Sequence, residues 1–181
     1  VAVSRREMLD ALDVQHPGPA GVLELPGLLR ALEPSRASGA RVVFTNGCFD
    51  VLHAGHARYL RAARALGDVL VVGLNTDASV RRLKGDGRPV NPEGDRAELL
   101  ASLGCVDYVV LFDDDTPAAL IDAVLPDVLV KGADWKDKGV VGRETVEAHG
   151  GRVVLVDLLE GRSTTRIVER IRAGTSEDRG A

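Results

Sequence analysis

Short apolar runs alternate with helical spacings along most of this chain. Arg41-Val42-Val43-Phe44 reads as a buried strand, and residues 69–74, 106–111, 127–130 and 152–156 read the same way. Helical patterns lie between them. Leu25, Leu28, Leu29 and Leu32 recur at helical spacing, closed by Pro34 and Ser38-Gly39. Tyr59, Leu60, Ala63 and Leu66 follow the first strand, and residues 95–103 form the next helical stretch. Another helix opens at Thr116-Pro117, with Thr116 or Asp115 as the expected cap and Pro117 in the first turn. Residues 140–149 read as helical and stop at Gly150-Gly151. The last helix, 164–172, puts Ile167, Val168 and Ile171 on one face.

Strands this short, each followed by a helix, predict an α/β fold. The expected architecture is a doubly wound, Rossmann-like parallel sheet of five strands with helices on both faces. Residues 1–40 are expected to form an N-terminal arm with one short helix, 41–173 the main domain, and 174–181 a polar, frayed tail. Ligands of such sheets bind beyond the carboxyl ends of the strands.

Composition narrows the function classes. The 181 residues are 45% hydrophobic and 28% charged, ordinary for a globular domain with a full core. A net charge of −4 gives no basic face for nucleic acid. No apolar run reaches the roughly 20 residues that span a bilayer, and no leader pattern stands out. Cys48 and Cys105 offer neither metal spacing nor a disulfide framework, so the cytoplasm is the expected location. Asp113-Asp114-Asp115 ahead of Thr116-Pro117 reads as helix-cap chemistry, and no metal ligand is assigned.

The chemistry concentrates in Thr45-Asn46-Gly47-Cys48-Phe49-Asp50-Val51-Leu52-His53-Ala54-Gly55-His56. This stretch leaves the first strand and opens the next helix. A helix N-terminus carries unpaired N–H groups and the positive end of the dipole, so it attracts anions. His53 and His56 are three apart across the first turn and can point the same way, each offering an N–H to a phosphate oxygen. Gly55 between them leaves room for a phosphate to approach the backbone. No Gly-x-Gly-x-x-Gly follows the first strand and no Gly-x-x-x-x-Gly-Lys-Ser/Thr occurs anywhere. The histidine motif is therefore the phosphate-handling element.

That stretch resembles the HxGH nucleotidyltransferases, and within them the branch that makes ADP-heptose. Two further segments carry the resemblance. Val128-Leu129-Val130-Lys131-Gly132-Ala133-Asp134-Trp135 is similar to the branch's Val-Lys-Gly-Gly-Asp-Tyr, with Ala133 for a Gly and Trp135 for a Tyr. Ser163-Thr164-Thr165 is similar in type and spacing to the family's Ser-Thr-Thr, which contacts the triphosphate. The resemblance implies catalytic roles for His53, His56 and Lys84. It implies nucleotide contacts from Thr45, Asn46, Gly47, Cys48, Phe49, Asp50, Gly55, Lys131, Gly132, Ser163, Thr164 and Thr165. Acceptor contacts would come from Lys84, Arg96, Asp134 and Trp135.

The activity it implies is transfer of AMP from ATP to a heptose 1-phosphate, with Mg²⁺ carried on the ATP. A separate sugar kinase would supply the acceptor, and the enzyme would be a homodimer. Alternatives are a cytidylyltransferase for glycerol or another small phosphate, an FMN adenylyltransferase, and a silent nucleotide-binding subunit. In glycerol-phosphate cytidylyltransferases an arginine stands five residues ahead of Ser-Thr-Thr; here that residue is Leu158.

Overall fold

The computed structural model describes residues 21–136, 139–157, 164, 167–169 and 173. The arm 1–20, the tail 174–181, and Leu158, Ser163, Thr165 and Ile171 lie outside the described residues. Five parallel strands form a sheet: β1 (Val42–Gly47), β2 (Val69–Asn75), β3 (Tyr108–Phe112), β4 (Val128–Gly132) and β5 (Arg152–Val156). Their spatial order is β3-β2-β1-β4-β5. The helices are α1 (Leu25–Ala37), α2 (Ala54–Arg64), α3 (Asp77–Lys84), α4 (Glu93–Ala101), α5 (Ala118–Val124) and α6 (Arg143–Ala148). From β1 the chain winds outward to β3, then crosses back to β4 on the other side of β1. That reversal opens a crevice at the carboxyl end of β1.

Successive strand residues face opposite sides, and both sides are covered. Phe44, Val71 and Leu129 pack on one face with Leu28 and Leu32 of α1, Ile121 of α5 and Val146 of α6. Val43, Val72 and Val130 pack on the other with Leu60 and Ala63 of α2 and Leu100 of α4. This two-sided burial explains why the strands read as unbroken apolar runs. At the centre of β2, a Cβ on Gly73 would stand 2.8 Å from the Phe44 ring, so the close approach requires glycine.

The structure departs from the sequence reading at several places. β1 continues past Phe44 because Thr45, Asn46 and Gly47 stay in register with Val72, Gly73 and Leu74. β3 begins at Tyr108, since Val106 N–H turns back to Leu103 O at 2.8 Å. α1 runs through Pro34 to Ala37. It also belongs to the core: Leu28 and Leu32 are fully buried, and Leu23 N–H donates to Val109 O at 2.9 Å. α3 is a helix that the reading left unassigned, because Val80 and Leu83 alone make no apolar stripe. Thr76 caps it, its hydroxyl accepting from Ser79 N–H at 3.2 Å. Neither Asp115 nor Thr116 caps α5; its N-cap is Pro117. The acidic triplet serves α3 instead. Arg82 pairs with Asp115 at 2.9 Å and with Asp113 at 3.5 Å, and Thr76 donates to Asp113.

A buried relay joins the centre of the sheet to α2. The Thr45 and Tyr59 hydroxyls lie 2.7 Å apart, and Tyr59 donates to Val130 O at 3.1 Å, so Thr45 is the donor to Tyr59. Burial pushes the Tyr59 hydroxyl up to about 12, which keeps its proton in place. Tyr59→Phe takes the partner from both ends of the relay. Stability is expected to fall by about 1–3 kcal/mol, read as a lower urea midpoint with an unchanged slope. An unchanged midpoint would show that the relay contributes nothing.

Candidate active site

The turn from β1 into α2 sets the geometry. His53 is the N-cap, extended at φ −144° and ψ 170°, and its Nδ1 accepts from Gly55 N–H at 3.1 Å. That bond leaves the neutral ring's proton on Nε2, so His53 presents a donor on its far side. One turn on, the His56 ring stacks against it with centroids 4.0 Å apart and planes 23° from parallel. Phe49 meets His56 edge-on at 5.3 Å and holds a φ of 43°, a region that a phenylalanine rarely adopts. Burial, and secondarily the neighbouring His53, pull His56 down to about 4, so its imidazole is neutral at physiological pH. Its Nδ1 is buried with no hydrogen-bond partner among the described residues.

Asp50 braces the loop beside the pair. Its Oδ1 accepts from the N–H groups of Val90 at 2.6 Å and Asn91 at 3.0 Å. Arg88 Nε stands 2.6 Å from its Oδ2, an ion pair not aligned as a hydrogen bond. Arg96 lies beneath. Its side chain is fully buried and donates to the carbonyls of Asn91, Cys48 and Asn75 and to Asp77 Oδ1. Three loops are thereby tied to one guanidinium.

On the opposite wall Lys131, 6% exposed, donates to Asn46 Oδ1 and lies 5.1 Å from the Trp135 ring centroid. Burial lowers Lys131 to about 8, against the opposing pull of Asp134 and Cys48. Burial also raises the Cys48 thiol, which makes it a poor nucleophile. Thr164, helical and half-buried, donates its hydroxyl to Val51 O at 3.5 Å.

These walls enclose a cleft of about 710 Å³. It brings together Asn46, Gly47, Cys48, Phe49, Asp50, His53, Gly55 and His56 with Lys84, Lys131, Trp135 and Thr164, all named from the sequence. Four residues named with them do not line it. Thr45 is fully buried in the relay with Tyr59. Gly132 is buried and caps the short 3₁₀ turn Ala133–Trp135. Asp134 is exposed outside the cleft. Arg96 has every arm of its guanidinium engaged, so it holds the loops and is not available to a phosphate. Sequence reasoning missed Arg88, Asn75 and Asp115 on the lining. Arg88 carried one signal: a cation in the same Gly- and Pro-containing loop that Lys84 opens. No group of three or more His, Cys, Asp or Glu suited to a metal occurs among the described residues.

A model of cytidylyltransferase-like proteins matches residues 44–170, a span that starts within β1 and includes β2 to β5. The chain belongs to the cytidylyltransferase-like family. It is 51% identical over 177 residues to the bifunctional protein HldE of Geobacter metallireducens, covering 97% of this chain and 36% of that one. With the protein of the same name from Syntrophotalea carbinolica it shares 61% over 140 residues, 77% of this chain and 29% of that one. The chain thus spans about a third of the length of these curated relatives. Among solved structures, a lipopolysaccharide core biosynthesis protein from Thermoplasma volcanium superposes with a TM-score of 0.55 at 28% identity, over 68% of this chain and all of that one. Pantoate-beta-alanine ligase from Francisella tularensis shares the fold, with a TM-score of 0.57 at 14% identity, over 80% of this chain and 69% of that one.

The depressed His56 value has a signed consequence. Between pH 6.5 and about 4 the unfolded chain holds an imidazolium while the folded protein holds a neutral ring. The unfolded state binds more protons there, so stability falls as pH drops through that window. His56→Asn removes this contribution. The variant is expected to lose less stability than the wild type between pH 6.5 and 4.5 in urea titrations. Parallel losses would contradict a neutral, buried His56.

Proposed function

We propose that this family member transfers AMP from ATP to a heptose 1-phosphate and releases pyrophosphate. The observation that carries the reading is the stacked His53–His56 pair at the start of α2, with the Gly55 cap bond accepted by His53 Nδ1 and the ring proton therefore on Nε2. The N-terminus of an 11-residue helix adds backbone N–H groups and dipole to the same point. The similarity to bifunctional HldE proteins supports heptose as the sugar.

In the proposed reaction an oxygen of the acceptor phosphate attacks the α-phosphorus of ATP. The new bond forms as the bond from that phosphorus to the α,β-bridging oxygen breaks, and the electron pair leaves with pyrophosphate. A phosphate monoester has a second pKa near ~6, so the attacking oxygen is already ionised at neutral pH and needs no general base. The protein's task is to align two polyanions and stabilise charge on the α-phosphate and the leaving oxygens. His53 and His56 donate at the α-phosphate. Lys131 and Thr164 face the triphosphate on the β4 side; Ser163 and Thr165, outside the described residues, are assigned to the triphosphate by the family resemblance alone. Lys84 faces the acceptor on the β2 side. Asp50 is engaged by Arg88 and two backbone N–H groups, which does not suit it to hold a metal of its own. Mg²⁺ therefore enters as MgATP, on phosphate oxygens and water.

The reading places the reaction in the cytoplasm and assigns the supply of acceptor to a sugar kinase activity outside these 181 residues. The homodimer implied by the family resemblance stays part of the proposal, and sedimentation velocity tests it.

Pyrophosphate release with MgATP and heptose 1-phosphate tests the function, with CTP, GTP and UTP in parallel. Turnover with ATP alone is expected. Preference for CTP with a glycerol or other small phosphate, or for ATP with FMN, would replace the substrates; nucleotide binding without turnover on any acceptor would leave a silent subunit. His56→Ala is expected to lower kcat by about 10²–10³ with the fold intact by circular dichroism. Near-normal activity would remove the histidine pair from the chemistry. Lys131 supplies a second readout. It is cationic below about pH 8, so nucleotide affinity is expected to weaken as pH rises through 8, and Lys131→Met is expected to abolish that dependence.

A further inference from the structure

Arg88 is the only arginine on the cleft lining among the described residues, and nothing in the proposed chemistry yet uses it. Its surroundings differ from those of the other cations. Arg96 is fully buried and fully engaged. Lys131 belongs to the β4 wall. Lys84 is exposed at the last residue of α3. The Arg88 side chain is 17% exposed, with Nε set 2.6 Å from a carboxylate that is itself 2% exposed. No hydrogen bond among the described residues uses Nη1 or Nη2. One edge of the guanidinium is therefore held and the other is available.

The loop around Arg88 is fastened to the same carboxylate. Val90 and Asn91 N–H groups donate to Asp50 Oδ1, and the Asn91 side chain donates back to Asp50 O at 2.8 Å. Arg88 N–H in turn donates to Gly85 O at 3.1 Å. Loop and side chain are fixed before any ligand arrives, so little ordering entropy remains to be lost on binding. A planar guanidinium with one free edge matches two oxygens of a phosphate, which a lysine cannot do while also holding Asp50.

We propose that Arg88, pre-aimed by Asp50, is the acceptor-side phosphate clamp of this cleft. The proposal rests on the nucleotidyltransferase reading for its direction. The triphosphate lies on the β4 side, with Lys131 and Thr164. The β2 side, with Lys84, Arg88 and Asn75, is left for the acceptor. Arg88 and Lys84 together neutralise the dianion that attacks. Recognition there is of the phosphate monoester itself, whatever sugar it carries.

The purely structural alternative is that Arg88 only balances the buried Asp50 charge. Arg88→Lys separates the two, because it keeps a cation for Asp50 and loses the second edge. The probe is inorganic phosphate, titrated by calorimetry into protein saturated with the α,β-methylene analogue of whichever triphosphate the nucleotide panel selects. Phosphate is expected to bind the wild type and to bind Arg88→Lys about 10- to 100-fold more weakly, with analogue affinity within about twofold. In turnover, the acceptor KM should rise by a similar factor while the ATP KM holds. Arg88→Gln, checked for folding by its thermal midpoint, should be at least as weak as Arg88→Lys. Equal phosphate affinity in wild type and Arg88→Lys, no phosphate binding by either, or an equal loss for phosphate and nucleotide would each overturn the clamp. Failure of wild-type turnover with heptose 1-phosphate would instead count against the sugar assignment, since the phosphate titration uses no sugar.

Discussion

The hydrogen bond from Gly55 N–H to His53 Nδ1 is the constraint on which the cleft depends. An N-cap is ordinarily Ser, Thr, Asp or Asn. Here an imidazole takes that place, and the cap also fixes its tautomer. The donor face of His53 then points away from the helix it caps, and the His56 ring lies against it one turn later. Two charged imidazoles 4.0 Å apart would repel each other, so the low value of about 4 for His56 is part of what allows the stack. The His56 ring is therefore neutral across the neutral range, the state the proposed reaction needs of it as a donor to phosphate.

The supporting residues divide the work. Arg96, Asp50 and the Thr45–Tyr59 relay are buried and engaged with backbone groups. They fix where the β1, β2 and Pro-containing loops end. Lys84 at the end of α3, Lys131 on β4 and Arg88 in the Pro-containing loop carry charge into the cleft. This is the arrangement expected of a site that acts by positioning and electrostatics, in which every donor must already be in place. It also explains why the motif contains residues that never reach the cleft: Thr45 and Gly132 build the strand ends from which the lining residues project.

Much of this was legible in the chain. Buried parallel strands leave continuous apolar runs, so five strands and their order along the sequence were readable from Val42, Val69, Val109, Val128 and Val153 outward. His53 and His56 were readable because the strand before them and the helix after them fix their place. α3 was hidden, since its apolar positions are few and its stability comes from the Thr76 cap and the Arg82–Asp113–Asp115 contacts, which are tertiary. Arg96 and Arg88 show the same limit from the other side. Both are cations near the cleft in sequence, and only burial and partners reveal that Arg96 is structural while Arg88 keeps a free edge. Spacing carries no information about which side of a loop a guanidinium turns to.

The proposed direct transfer, in which no protein nucleophile takes part, makes one stereochemical demand. A single in-line attack inverts configuration at the α-phosphorus, whereas a covalent adenylyl-enzyme formed and then consumed would give two inversions. The decisive measurement is the configuration at phosphorus after turnover of ATP made chiral by sulfur substitution at the α-position. Inversion is the expected result, and net retention would contradict direct transfer in this cleft.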